Sequence, residues 1–129
     1  MKLFFTLWLI FFTLHVQGQK VVNLKSKYYG TYQGYISSYN LDTGFDLITV
    51  DSVKIEIDIE KVSFNLKIGS KSTKGSYVVL FEAEKYFVLE GSIENQLAKE
   101  RIVVFKKGKV ISRDGLFPQP SAYLKKKRR

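Results

Sequence analysis

The chain has 129 residues, 45% of them hydrophobic, with no cysteine, a single histidine, and a net charge of +9 from 21 Lys and Arg against 12 Asp and Glu. That length suits one domain rather than two. The lack of cysteine excludes disulfides, thiolate nucleophiles and thiolate metal sites, so burial alone must hold the fold.

The chain opens with Lys2, followed by an uncharged apolar run from Leu3 to Leu14 and then Val16-Gln17-Gly18. A basic start, a short apolar stretch and small residues before a cut predict a signal peptide over 1–18, cleaved after Gly18. The apolar run is shorter than the ~20 residues that cross a hydrocarbon core. Export follows as the expectation, to the periplasm, the cell surface or the extracellular space. The absence of any Asn-X-Ser/Thr sequon favours a bacterial envelope over a eukaryotic secretory origin.

That segment also holds the only Trp (Trp8), His (His15) and Met (Met1). Residues 19–129 therefore lack the histidine that a Ser/His/Asp triad needs and the usual nitrogen and sulfur ligands of zinc, copper or iron. No spacing among the remaining Asp, Glu, Lys, Tyr and Ser selects a catalytic set. Neither an enzyme, a cofactor nor a metal site is expected.

Residues 19–27 read as a lead segment, 28–115 as a β-domain and 116–129 as a tail with a basic end. From Tyr28 onward the pattern has period two, which predicts strands. Tyr28, Gly30, Tyr32, Gly34 and Ile36 share one face of a first strand, whose glycines imply strong curvature. Ser37 to Asp46 is turn-rich, and Asn40, Asp42, Thr43 and Asp46 suit a turn built on Asx chemistry better than a calcium loop.

Leu47 to Ile59 then sets Val53, Ile55, Ile57 and Ile59 against Lys54, Glu56 and Asp58. Val62, Phe64, Leu66 and Ile68 repeat the alternation, and Gly69 to Gly75 reads as a polar loop. Strands follow at Tyr77–Ala83, Tyr86–Ile93, Arg101–Lys106 and Val110–Arg113, while Glu94–Glu100 reads as a loop or one helical turn. Seven to eight short sequential strands predict an all-β fold: a single antiparallel up-and-down β-barrel, or a small β-sandwich.

The strands within 77–105 are apolar at consecutive positions, so both of their faces are apolar. A covering element is one account: the segment from Leu116 to Leu124, residues 21–24, or a second copy in a homodimer. The other is that strand-forming residues leave part of that face wet.

Gly30-Thr31-Tyr32, on a curved strand with a long loop behind it, resembles the Gly-X-Trp opening of lipocalins and related barrels. The resemblance implies an aromatic at the barrel floor, here Tyr32, a late-strand arginine packed on it, Arg101 or Arg113, and a lid over Ser37–Asp46. It also implies a small apolar or amphipathic ligand. Small inward residues that could leave room for one are Gly30, Gly34, Ser52, Ala83 and Gly91, against the alternative that Tyr28, Tyr32, Phe64, Phe81 and Phe87 fill the interior.

The candidate ligand residues are Tyr32, Phe64, Phe81, Glu82, Glu90 and Arg101, the two glutamates standing in otherwise apolar strands where a buried carboxylate needs a partner. A second functional class is an interaction protein of the envelope, acting through strands 77–105. The basic run Lys125, Lys126, Lys127, Arg128 and Arg129 is either a solvated terminus or a contact for an anionic membrane surface. Nothing resembles a nucleic-acid motif, and nucleic acid is not an expected partner.

Overall fold

The structure is a computed structural model, which describes residues 22–116 and 118–128. The leader assigned to 1–18, Val21 and Arg129 lie outside the described residues. A 3-10 turn over Ser26–Tyr28 precedes ten strands: β1 (Gly30–Ile36), β2 (Tyr39–Asp42), β3 (Leu47–Val50), β4 (Val53–Ile59), β5 (Ser63–Ile68), β6 (Lys71–Glu82), β7 (Tyr86–Ile93), β8 (Glu100–Phe105), β9 (Val110–Arg113) and β10 (Ala122–Lys126). Eight of them close an antiparallel barrel in the order β1-β10-β9-β8-β7-β6-β5-β4, and β2 and β3 pair only with each other. The up-and-down barrel is therefore the observed alternative, not the sandwich.

Alternation in the sequence becomes inside and outside in the wall. Ile55, Ile57 and Ile59 of β4 face the core with Phe64 and Leu66 of β5, while Lys54, Glu56 and Asp58 face out. Phe87 and Leu89, Ile102 and Val104, Ile111, and Leu124 continue the same layer around the barrel. Each such side chain contributes roughly 1.5–3 kcal/mol on burial, and in a chain without disulfides this layer must carry the stability.

Three stretches differ from the sequence reading. The polar run after Gly69 is not a loop but the start of β6: Gly69, at φ 59°, makes a tight turn, and Lys71–Gly75 pair with Phe64–Ile68. Leu47–Ile59 is not one strand, because β1 ends at Ile36 and offers no partner beyond Val53; Leu47–Val50 turns back onto Tyr39–Asp42 instead. The supposed tail supplies the closing strand. Ala122 and Leu124 point inward while Tyr123 and Lys125 point out, and β10 fills the gap between β9 and β1. The barrel thus runs from Gly30 to Lys126, past the boundary at 115, with Lys125 and Lys126 in its wall.

The two ends differ. At the floor, near the turns at 60–62, 83–85 and 106–109, Leu24 and Tyr28 are buried against the core. The Tyr28 ring meets Phe87 edge-on at 5.3 Å, the Tyr32 hydroxyl donates to the Tyr28 carbonyl at 2.8 Å, and the Tyr77 hydroxyl donates to Lys61 O at 2.9 Å. At the other end, the mouth, lie the β2–β3 hairpin and the segments 94–99, 114–116 and 118–121.

The small residues do not hollow the interior. A Cβ on Gly91 would lie 2.7 Å from the Phe64 ring, and one on Gly34 would strike the backbone of β10 with the Leu124 side chain beside it. Lys126 Cε would meet a Cβ on Gly30 at 2.7 Å, Ser52 is exposed beside the hairpin, and Ala83 lies in a floor turn.

On the outside, Val78, Leu80 and Phe81 of β6 are 61%, 44% and 49% exposed. Tyr86 stacks edge-on with Phe81 and with Phe105, both at 6.4 Å, and Val88, flanked in register by Phe81 and Val103, is buried. Leu24 turns into the floor and residues 122–126 enter the wall, while Leu116 lies beside Glu90 and Arg101 at the mouth end of β7 and β8.

Candidate functional site

The strand register brings one ionic cluster together inside the mouth. On β8 the inward series Ile102 and Val104 extends back to Glu100; on β9 the inward series runs Ile111 to Arg113, and Arg113 is paired with Ile102. Both side chains are almost fully buried, Arg113 at 3% and Glu100 at 2%. Arg113 donates from Nε to Glu100 Oε2 at 3.0 Å and from Nη2 to Oε1 at 3.1 Å, a two-pronged pairing that matches the planar geometries of guanidinium and carboxylate.

Two amides complete the cluster. Arg113 Nη1 donates to Gln119 Oε1 at 2.5 Å, and Gln96 Nε2 donates to Glu100 Oε1 at 3.1 Å and to Ala98 O at 2.8 Å. Buried charges persist only when paired and hydrogen-bonded, and this pair is both. Above it opens a pocket of about 290 Å³, lined by Tyr39 from the hairpin, Leu66, Ile68 and Lys71 around the β5–β6 turn, Thr73, and Leu116. One wall is apolar; the base is a set of hydrogen-bonding groups.

The six ligand residues expected from sequence are not brought together. Tyr32 and Phe64 face inward, Tyr32 at the floor and Phe64 packed over Gly75 and Gly91. Phe81, Glu90 and Arg101 lie outside, in the outward series of their strands, while Glu82, registered with the inward Phe87, ends β6 at the rim of the floor with its side chain 39% exposed. Glu90 and Arg101 are cross-strand neighbours with a long ion pair of 3.9 Å, and Glu82 takes a 2.6 Å hydrogen bond from Lys106 Nζ. That bond holds the Glu82 carboxyl below the usual carboxylate range. Neither glutamate is a buried anchor.

Tyr32 sits at the floor as the lipocalin comparison implies, yet neither Arg101 nor Arg113 packs on it. Arg101 faces solvent and Arg113 lies at the opposite end; Lys126 is the residue registered beside Tyr32. Burial, with a smaller contribution from neighbouring Tyr28, pushes the Tyr32 hydroxyl up from 10.0 to about 12. Burial, with Tyr29, does the same for Tyr77.

Comparison with family models, curated proteins and solved structures gives no match. The barrel's relation to other proteins therefore rests on its architecture, which is compatible with a lipocalin-like fold.

At the hairpin tip Asp42 accepts from the Gly44 amide at 2.9 Å and Thr43 Oγ1 from the Asp46 amide at 3.1 Å, so the expected Asx turn forms. Among the described residues no three His, Cys, Asp or Glu side chains group together. Sequence reasoning missed Glu100, Gln96 and Gln119, and gave Arg113 another role. The signal was present: counting back by twos from Ile102 places Glu100 inside.

Proposed function

We propose that this chain is a non-enzymatic, lipocalin-like binding protein whose barrel mouth takes a small amphipathic ligand. The observation that carries the reading is the buried Glu100–Arg113 pair beneath a partly apolar pocket at the hairpin end. A volume of about 290 Å³ lies at the small end of the range for ligand pockets, so the ligand is a short one. The Gln119 amide oxygen on Arg113 occupies the place that a ligand carboxylate or carbonyl oxygen would take. The apolar part would rest on Leu66, Ile68 and Tyr39, while the packed core keeps it out of the deeper barrel.

The test is calorimetric titration with octanoate. Saturable binding is expected, weakened at least tenfold by Ile68→Trp, which fills the pocket, with the melting transition preserved. Equal affinity in that variant removes the reading. Export belongs to the same proposal, on the strength of the sequence of residues 1–18, and a secreted or periplasmic form beginning at Gln19 is the mass-spectrometric expectation.

A second reading has its own observation. Val78, Leu80 and Phe81 form an outward apolar face suited to another copy of the chain or to an envelope protein. Light scattering separates the two: a dimer abolished by Phe81→Ser supports the interaction face, and a strict monomer dismisses a homodimer.

A further inference from the structure

A second concavity lies at the floor, between the start of β1, the end of β10 and the turn joining β8 to β9. Its volume is about 1070 Å³, and its lining carries Lys109, Lys125, Lys126, Lys127 and Arg128 against a single carboxylate, Asp58. We infer that this depression binds a compact polyanion: a small molecule or lipid headgroup carrying two or more phosphate or sulfate groups. Phosphates and sulfates are the anions such a set recognises, because several ammonium groups at one place match several closely spaced negative oxygens.

The arrangement is built, not a loose tail. Lys126 N donates to Lys109 O at 2.8 Å and Lys127 N to Thr31 O at 2.7 Å, so the backbone that bears these lysines is laced to its neighbours. Lys126 Nζ is fixed on the Lys27 carbonyl at 3.1 Å, its stem lying over Gly30, where a φ of 141° and the absence of a Cβ make room. Asp58 is engaged by the Thr31 hydroxyl at 3.3 Å, and none of the five cations pairs with a carboxylate among the described residues. Like charges held together repel, and a bound anion relieves that repulsion.

The turn adds an independent sign. Lys109 adopts φ 52° directly after Gly108 at 89°, a left-handed conformation that Asn, Asp or Gly takes at less cost. Strain kept at a position facing a cleft points to use of its side chain.

The shape favours a compact ligand over a flat bilayer. The site is concave, and the most exposed aromatic side chain, Phe45, stands on the hairpin at the opposite end, with Val62 the one large apolar side chain exposed in the turns of the floor. A nucleic-acid strand would need stacking surfaces, whereas the one lining aromatic, Tyr29, has its hydroxyl tied to Leu24 O at 3.0 Å.

The probe is sodium tripolyphosphate, titrated into the full chain at low salt and followed by backbone amide shifts. Saturable binding is expected, with shifts at 30–31, 108–109 and 125–128 that weaken as salt is added. Lys109→Gln with Lys127→Gln should lower the affinity about 25-fold, at about fivefold per cation, with an unchanged melting transition. A parallel arm uses phosphatidylcholine vesicles containing a bisphosphorylated lipid. Vesicle binding lost in the double variant assigns the site to a headgroup; tripolyphosphate binding without vesicle binding assigns it to a soluble ligand. Absence of tripolyphosphate binding, shifts confined to the mouth, an affinity that the double variant leaves within about twofold, or tighter binding of a single-stranded oligonucleotide at equal phosphate concentration would overturn the inference.

Discussion

Arg113 illustrates how much one buried residue can depend on another. Its guanidinium is compensated by Glu100, so Glu100→Ala should destabilise the barrel by about 3–5 kcal/mol by leaving a buried charge unpaired. The double replacement Glu100→Leu with Arg113→Met should recover most of that loss, because apolar residues of similar volume need no partner. Urea unfolding measures both. A double variant that regains stability yet loses octanoate binding would mark the pair as functional and not structural.

Packing makes a second prediction at this scale. Gly91→Ala drives a methyl into Phe64, at an expected cost of about 1–3 kcal/mol, and Phe64→Leu should relieve it, so a double-mutant cycle should show clear coupling. The two raised tyrosines fix the alkaline limb. Folded Tyr32 and Tyr77 hold their protons to about pH 12, whereas unfolded tyrosine loses its proton near 10.0. Their contribution is complete below pH 10 and is lost as pH rises through 12. With allowance for solvent near the floor, the loss is on the order of 1–2 kcal/mol each. Ultraviolet titration should show a late group of tyrosines, one fewer in Tyr32→Phe, with unfolding midpoints falling between pH 10 and 12.

Among the elements, β4 and β5 were legible because Ile and charged residues alternate cleanly along them. β10 was not, since only Ala122 and Leu124 show its inner face and the lysines that follow read as solvated tail. An outward-facing lysine on a wall strand and a lysine in free solution are chemically alike; only pairing with β1 and β9 distinguishes them. The opening of β6 was hidden in the same way, as Lys71 to Gly75 join the sheet through their backbone with few apolar side chains to announce it. Truncation tests the reassignment. Ending the chain after Tyr123 should open the barrel and abolish cooperative unfolding, whereas removing only Arg128 and Arg129 should leave the melting temperature essentially unchanged.

For the molecule as a whole, the all-β barrel could be read from period and turns, but the site could not. A site inside a barrel is assembled across strands, and the residues chosen from sequence were those conspicuous within a strand: Glu82 and Glu90 stood out among apolar neighbours because they face water. Glu100 and Arg113 meet only because β8 and β9 are adjacent and both series turn inward. The resulting molecule has a filled interior, an aromatic floor with a basic depression beside it, and a mouth whose polar base is buried. The measurement that bears most directly on this account is an amide-resolved titration of the full chain with octanoate. The account predicts saturable shifts confined to the mouth, around Tyr39, Thr73, Gln96 and Gln119; shifts centred on core positions such as Ile57 and Val104, or no saturable response at the mouth, would contradict it.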